Sequence, residues 1–251
     1  MKLYNELAEY YYAIENENRN INDDIRMIQS LTKNIKNPSL LDLGCGTGEH
    51  LDLLSKLEFN CTGIDSSSEM YKISRSRFHN SFIFLNEDMR RFDFYEKFDI
   101  IISLFGSVDY LIKDSEINKL LQNTWKALKP DGIGIFEIWN AVPIRKIKEK
   151  PLTFISKIKY NDKIIKRERG FELLEFQTQT IVKVTYNYIF PGSRIVKDKH
   201  IMRAFTCNEI EHFMKKNEFQ VIAMYSNSLL EPYRDISNKI ILHFKKSNSK
   251  L

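Results

Sequence analysis

Residues 40–50 read Leu-Leu-Asp-Leu-Gly-Cys-Gly-Thr-Gly-Glu-His. The apolar Leu40, Leu41 and Leu43 stop at Gly44, glycine returns at Gly46 and Gly48, and a helical apolar period follows at Leu51, Leu54 and Leu57. This is a strand, a Gly-rich turn and a helix N-terminus, the arrangement by which a doubly wound sheet brings its backbone close to a nucleotide-like ligand. Glycine suits the turn because a side chain would block that approach and because such turns often use positive φ. The spacing is Asp-x-Gly-x-Gly-x-Gly, not the Gly-x-Gly-x-x-Gly of dinucleotide sites. Asp42 would repel a pyrophosphate and attract a cationic amino group.

Further strands follow in order. Cys61-Thr62-Gly63-Ile64-Asp65 ends in an acid 21 residues after Gly44, close to the spacing of about 20 at which a carboxylate grips ribose hydroxyls. Ser66 to Arg77 reads as a helix with Met70 near its start, and Phe82 to Leu85 as a strand running into Asn86-Glu87-Asp88-Met89. Phe98 to Leu104 is almost wholly apolar, as a strand buried on both faces should be. Leu128-Lys129-Pro130-Asp131-Gly132 reads as a turn before a strand over Ile133 to Ile138. Upstream, Asp23-Asp24 open a helix carrying Ile25, Ile28, Leu31 and Ile35, stopped by Pro38. Asp114 caps a second, with Ile117, Leu120, Leu121, Trp125 and Leu128 as its core stripe.

From Leu152 to Phe205 the pattern turns to period two, with Val182, Val184, Tyr186 and Tyr188 alternating with Lys183, Thr185 and Asn187, and turns at Asn161-Asp162 and Pro191-Gly192-Ser193. A small antiparallel sheet is expected there. Thr206-Cys207-Asn208-Glu209 is a capping box for a helix with Ile210, Phe213 and Met214. Phe219 to Tyr225 and Lys239 to Phe244 supply the last two strands.

Taken in sequence, these elements resemble the class I S-adenosylmethionine-dependent methyltransferases. The resemblance implies an α/β fold: a Rossmann-like, seven-stranded, doubly wound sheet with an inserted small antiparallel β lid. Its parts would be an N-terminal helical lid segment (1–35), a cofactor-binding core (36–145), a β insertion over the acceptor (146–205) and the rest of the core (206–251). It implies S-adenosyl-L-methionine as cofactor, held by Asp42, Gly44, Cys45, Gly46, Thr47, Gly48, Asp65, Ser66, Met70, Asp88, Met89, Ser103 and Leu104. Met70 would cover one adenine face, Asp88 would accept from the adenine amino group, and Met89 would offer its backbone N–H to the ring.

A narrower likeness rests on Leu7-Ala8-Glu9-Tyr10-Tyr11, Leu104-Phe105-Gly106-Ser107, Glu137-Ile138-Trp139 and the inserted sheet. These are similar to the amino-sugar N,N-dimethyltransferases and related small-molecule N-methyltransferases. On that likeness Tyr11 and Arg19 hold the cofactor's carboxylate, while Tyr4 and Tyr110 border the acceptor amine, where aromatic faces tolerate positive charge. The Tyr10-Tyr11-Tyr12 cluster reads equally well as lid packing. The chain departs from the sugar enzymes in having Tyr110 where they typically carry histidine, and Ser237-Asn238-Lys239 where they carry Gly-Arg-Gly. The N-terminal segment and the inserted sheet are expected as lids from either side of the cleft, because methyl transfer needs alignment and exclusion of water.

Composition narrows the alternatives. With 251 residues, 43% hydrophobic and 28% charged, the chain is an ordinary globular one, without an apolar run of membrane-spanning length or the apolar core of a signal peptide at its start. Its three cysteines, Cys45, Cys61 and Cys207, have no paired spacing and read as reduced thiols of a cytoplasmic protein. No His/Cys cluster suggests a metal. The net charge of +5 comes from basic stretches interspersed with acids and apolars, which read as solvated faces and not as a nucleic-acid surface. The chain lacks the Asn/Asp-Pro-Pro-Tyr/Phe of amino-directed nucleic-acid enzymes after Ile102 and has no Pro-Cys. What remains is transfer to a small-molecule amine, with two alternatives kept open: an O-methyltransferase using Tyr110 or Glu137 as base, and a cofactor-binding protein without turnover. A homodimer is compatible with each of these readings.

Overall fold

The structure, a computed structural model, describes residues 1–16, 20–79, 81–149 and 152–247. Strands form at Ser39–Leu43 (β1), Asn60–Asp65 (β2), Ile83–Asn86 (β3), Phe98–Ser103 (β4), Leu128–Trp139 (β5), Leu152–Tyr160 (β6), Lys163–Glu175 (β7), Thr180–Ile189 (β8), Ile195–Ala204 (β9), Phe219–Tyr225 (β10) and Lys239–Lys246 (β11). Helices form at Tyr11–Asn16 (α1), Ile21–Thr32 (α2), Glu49–Ser55 (α3), Ser68–Phe78 (α4), Asp114–Ala127 (α5), Ala141–Arg145 (α6) and Cys207–Lys216 (α7). One sheet has seven strands in the order β10-β11-β5-β4-β1-β2-β3. Its strands are parallel except β11, which pairs antiparallel with β5 and β10. The chain order reverses between β1 and β4, and a doubly wound sheet opens its ligand crevice at that switch point.

The apolar runs explain the layers. Ile100, Ile101 and Ile102 in the middle of β4 are completely buried, and α5 lays Ile117, Leu120 and Leu121 onto one face of the sheet. The capping box at α7 forms as predicted, with the Thr206 N–H donating to Glu209 at 2.8 Å and the Glu209 N–H to Thr206 Oγ1 at 3.2 Å. Several boundaries differ from expectation, two of them with a clear local cause. Helix α2 begins two residues before Asp23, because the Asn20 side chain accepts the Asn22 N–H and caps it there. The expected turn at 128–132 is extended backbone at the start of β5, its additional residues absorbed by a register shift between Phe98 and Ile100 of β4.

The insertion is a four-stranded antiparallel sheet, β6-β7-β8-β9. Its root is narrow. The Phe205 N–H donates to the Trp139 carbonyl and the Ala141 N–H to the Phe205 carbonyl, both at 2.9 Å, so outgoing and returning backbone pair side by side. Asn140 locks that junction. It is fully buried, its Nδ2 donates to the carbonyls of Asp235 (3.0 Å) and Ser237 (2.8 Å), and its Oδ1 accepts the Val142 N–H. The N-terminal segment and the insertion do not face each other across the cleft as expected. Leu3, Leu7 and Ile14 share one apolar cluster with Ile158, Ile165, Val184 and Tyr188, so the two make a single cover.

Truncation of Asn140 should strand the Asp235 and Ser237 carbonyls, and unsatisfied buried groups are costly. Asn140→Ala is expected to lower unfolding stability by about 2–4 kcal/mol in urea titrations. An effect within 0.5 kcal/mol, the range of an ordinary surface change, would show that the junction is held elsewhere.

Candidate active site

The glycine loop is pinned to the strand beside it. Gly44 and Cys45 both donate their N–H to the Ile64 carbonyl, at 2.8 and 3.0 Å, and Gly46 donates to Asp65 Oδ2 at 3.0 Å. Gly46 has φ 56° and Gly48 φ 88°, conformations that L side chains seldom adopt. A Cβ on Gly46 would also lie 2.9 Å from the Tyr11 ring. The loop therefore turns tightly over the end of β2, and the ring from α1 lies directly upon it.

The crevice at this point has a volume of about 380 Å³ and opens between the glycine loop, the ends of β2 and β3, and the N-terminal segment. Asp65, Ser66, Asp88, Met89, Tyr4, Tyr11 and Tyr110 line it, and Asp42, Cys45 and Leu104 line an adjoining recess that shares Tyr11, Gly44 and Phe105. Asp65 also accepts the Ser67 N–H at 2.8 Å, and burial raises its carboxyl pKa against the pull of those N–H donors. Asp42 is only 4% exposed, and its carboxylate accepts no hydrogen bond from the described residues. Burial raises its pKa to about 7, with His50 opposing and Asp65 reinforcing the rise. An arriving cation would hold it ionised.

Three phenols close the crevice. Tyr4 stands edge-on to Tyr11 and to Tyr110, with centroids 5.7 and 5.8 Å apart, and burial raises the pKa of all three well above the ordinary value. They are neutral hydrogen-bonding groups at physiological pH, so Tyr110 unaided is no base. Tyr4 Oη lies 2.7 Å from Tyr110 Oη, which lies 2.5 Å from Nδ1 of His200, and His200 Nε2 lies 3.0 Å from Asp198.

Comparison with known proteins agrees with this geometry. Residues 40–132 match the methyltransferase domain family. That stretch, about a third of the chain, is matched as a methyltransferase domain. Over 111 residues the chain is 32% identical to the Bacillus subtilis methyltransferase YqeM, covering 43% of this chain and 45% of the relative. Over 101 residues it is 34% identical to the Streptomyces venezuelae dTDP-3-amino-3,4,6-trideoxy-alpha-D-glucopyranose N,N-dimethyltransferase, covering 40% of this chain and 42% of the relative. The chain thus spans less than half the length of either relative. A solved S-adenosylmethionine-dependent methyltransferase from Clostridium acetobutylicum shares the fold at a TM-score of 0.78, with 18% identity over 98% of this chain and 99% of that one.

Not all the residues expected at the methyltransferase site line its crevice. Ser103 is buried and donates to the Leu43 carbonyl at 2.9 Å, tying β4 to β1. Thr47, fully buried, donates to Glu49 at 2.6 Å, and Gly48 starts α3. Met70 is fully buried in the first turns of α4, off the crevice wall. Asp88 stands at the crevice but is held by Arg90, whose Nε donates to it at 2.9 Å and whose hydrogen bonds keep its carboxyl below the usual range. Glu137 is separated from Tyr4 and Tyr110: it lines a second cleft with Trp139 and Lys239, accepting from Lys239 at 3.2 Å. Arg19 lies outside the described residues. Among the described residues no cluster could hold a metal, and no helix is long and apolar enough to cross a membrane.

His200 and Asp198 are site residues that reading the sequence missed. The signal was present: with Val196 and Met202 they fall at every second position of β9, on the face that alternation turns inward. An acid and an imidazole on an inward face deserve a search for partners. Arg90 carried no comparable signal, since its role depends on the turn after β3.

The residues fit S-adenosylmethionine. Asp42 offers a buried carboxylate that accepts no hydrogen bond from the described residues, suited to an ammonium, Asp65 suits ribose hydroxyls, and the Tyr11 ring can lie on the loop only because Gly46 has no Cβ. Asp42→Asn should weaken S-adenosylmethionine binding about tenfold or more by calorimetry. The same change should raise the melting temperature of the free protein at pH 8. The raised pKa means that ionised Asp42 opposes folding, a penalty absent below about pH 4 and complete above about pH 7. The gain should therefore vanish toward pH 4. Unchanged affinity in the variant would remove Asp42 from the site.

Proposed function

We propose that the chain transfers the methyl group of S-adenosylmethionine to the amine of a small molecule, with nucleotide-linked amino sugars as the first acceptor class. The observation that carries this reading is the tyrosine cluster. Tyr4, Tyr11 and Tyr110 present rings and neutral hydroxyls to the crevice beside the glycine loop, a lining that accommodates an ammonium developing on an acceptor nitrogen. The dimethyltransferase of Streptomyces venezuelae, similar over 101 residues, acts by its name on an amino sugar.

When bound, S-adenosylmethionine supplies a methyl already activated by its positive sulfur. The chain's residues have to hold the acceptor in line and keep water away. Asp42 and Asp65 anchor one end of the crevice, while Tyr11, seated on Gly46, roofs it. Tyr4 and Tyr110 offer hydrogen-bonding oxygens to the incoming nitrogen. The cover made by the N-terminal segment and the insertion shuts out solvent. Transfer to oxygen is disfavoured by the position of Glu137, whose carboxylate faces the other cleft.

The test is incubation with methyl-labelled S-adenosylmethionine and a panel of amines, nucleotide-linked amino sugars and phenols, read by mass spectrometry. Mass gains of one or two methyls on amines are expected. Gains confined to phenols would replace this reading with O-transfer, and loss of amine specificity to sugars alone would narrow the acceptor class.

A further inference from the structure

An amine meets neutral water mostly as ammonium, which has no lone pair with which to attack. Some group must take a proton from it, and burial keeps every tyrosine of the crevice a neutral phenol. We propose that Tyr4, Tyr110, His200 and Asp198 form a proton relay that draws this proton out of the acceptor site into the inserted sheet. The proposal rests on the amine-transfer reading above and identifies the base that reading lacks.

The direction of the relay follows from its far end. Burial alone would raise the Asp198 carboxyl, but hydrogen bonds from His200 and from the Leu3 N–H (2.8 Å) bring it well below the usual range. Asp198 is therefore an acceptor, so His200 Nε2 carries the hydrogen of the 3.0 Å contact. With Nδ1 unprotonated, the state in which the relay can take up a proton, that atom accepts from Tyr110. With its single hydrogen committed, Tyr110 can only accept from Tyr4. All donors point from the crevice toward β9, and the open acceptor is the oxygen of Tyr4, on the crevice wall.

A proton leaving the acceptor nitrogen joins Tyr4 Oη as Tyr4 passes its own to Tyr110 and Tyr110 passes its own to Nδ1. The N–H bond breaks, its electron pair stays on nitrogen, and the charge moves to an imidazolium paired with the Asp198 carboxylate. Both tyrosines end neutral. After the methylated ammonium departs, His200 returns its proton to water by the reverse route.

His200 is 1% exposed, so it exchanges protons only through this path. The titratable and charged groups facing it are Asp198 on its own strand, Tyr4 from the N-terminal segment, Tyr110 from the turn after β4, and Tyr186 of β8, whose ring centroid is 4.9 Å away. Glu15, Arg167 and Arg169 act on Tyr186 from farther off. His200 does not touch the acceptor. It is a positioning residue that works through Tyr110.

Nitrogen-15 spectra of the histidine rings in the full chain test the arrangement without any turnover, His200 being assigned by its loss in His200→Gln. The expected result is a neutral ring protonated at Nε2, with an Nδ1 resonance that shifts in Tyr110→Phe. Protonation at Nδ1, or a resonance indifferent to Tyr110→Phe, overturns the relay. The kinetic arm uses two acceptors from the panel, a basic alkylamine and a weakly basic arylamine already neutral at the assay pH. His200→Gln should lower kcat about 100-fold with the alkylamine, change it less than threefold with the arylamine, and leave KM for S-adenosylmethionine within twofold. Equal losses with both amines overturn the proposal. A wild-type chain that binds S-adenosylmethionine but methylates nothing refutes the transfer reading instead, and the spectra then decide the relay alone.

Discussion

One carbonyl oxygen, that of Ile64, receives two consecutive N–H groups from the loop after β1. That double acceptance bends the chain over the end of β2 and sets the depth of everything around it. It brings the Gly46 N–H to Asp65, leaves the surface on which the Tyr11 ring rests, and places Asp42 at the floor of the recess. The left-handed glycines are the cost of so tight a bend, and a side chain at Gly46 would collide with the ring above it.

The bend puts two carboxylates out of water within reach of each other's field, and burial raises both pKa values. Such groups oppose folding when ionised, so the apolar clusters on the faces of the sheet must offset them. The arrangement is useful only if something positive and rich in hydrogen bonds arrives. The phenols on the opposite wall have the complementary property: they stay neutral and can donate or accept without carrying charge. The crevice thus has carboxylates at its floor and neutral, aromatic groups at its roof.

The inserted sheet is more than a cover. By sharing a core with the N-terminal segment it fixes Tyr4, and by carrying Asp198 and His200 on its inward face it supplies the hydrogen bonds that orient Tyr110. Its only covalent link to the domain is the narrow junction at Asn140 and Phe205. His200 and Asp198 thus sit on an element that leaves the larger sheet after β5 and returns to it before α7.

Short-range order was legible in the residues alone. Glycine spacing, the terminal acids of β2 and β3, the buried run of β4 and the Thr206 capping box each act within a few residues of chain, where backbone stereochemistry and local hydrogen bonds decide. Those signals placed the strands and pointed to Asp42, Cys45, Asp65, Ser66, Asp88 and Met89, which line the crevice and its adjoining recess. What the fold alone decided were encounters across long stretches of chain. Tyr110 meets His200 90 positions later, Leu3 meets Asp198 195 positions later, and Glu137, a candidate base in expectation, lines a different cleft. No local pattern encodes such pairings, because they are set by how two sheets and an N-terminal segment pack their apolar faces together.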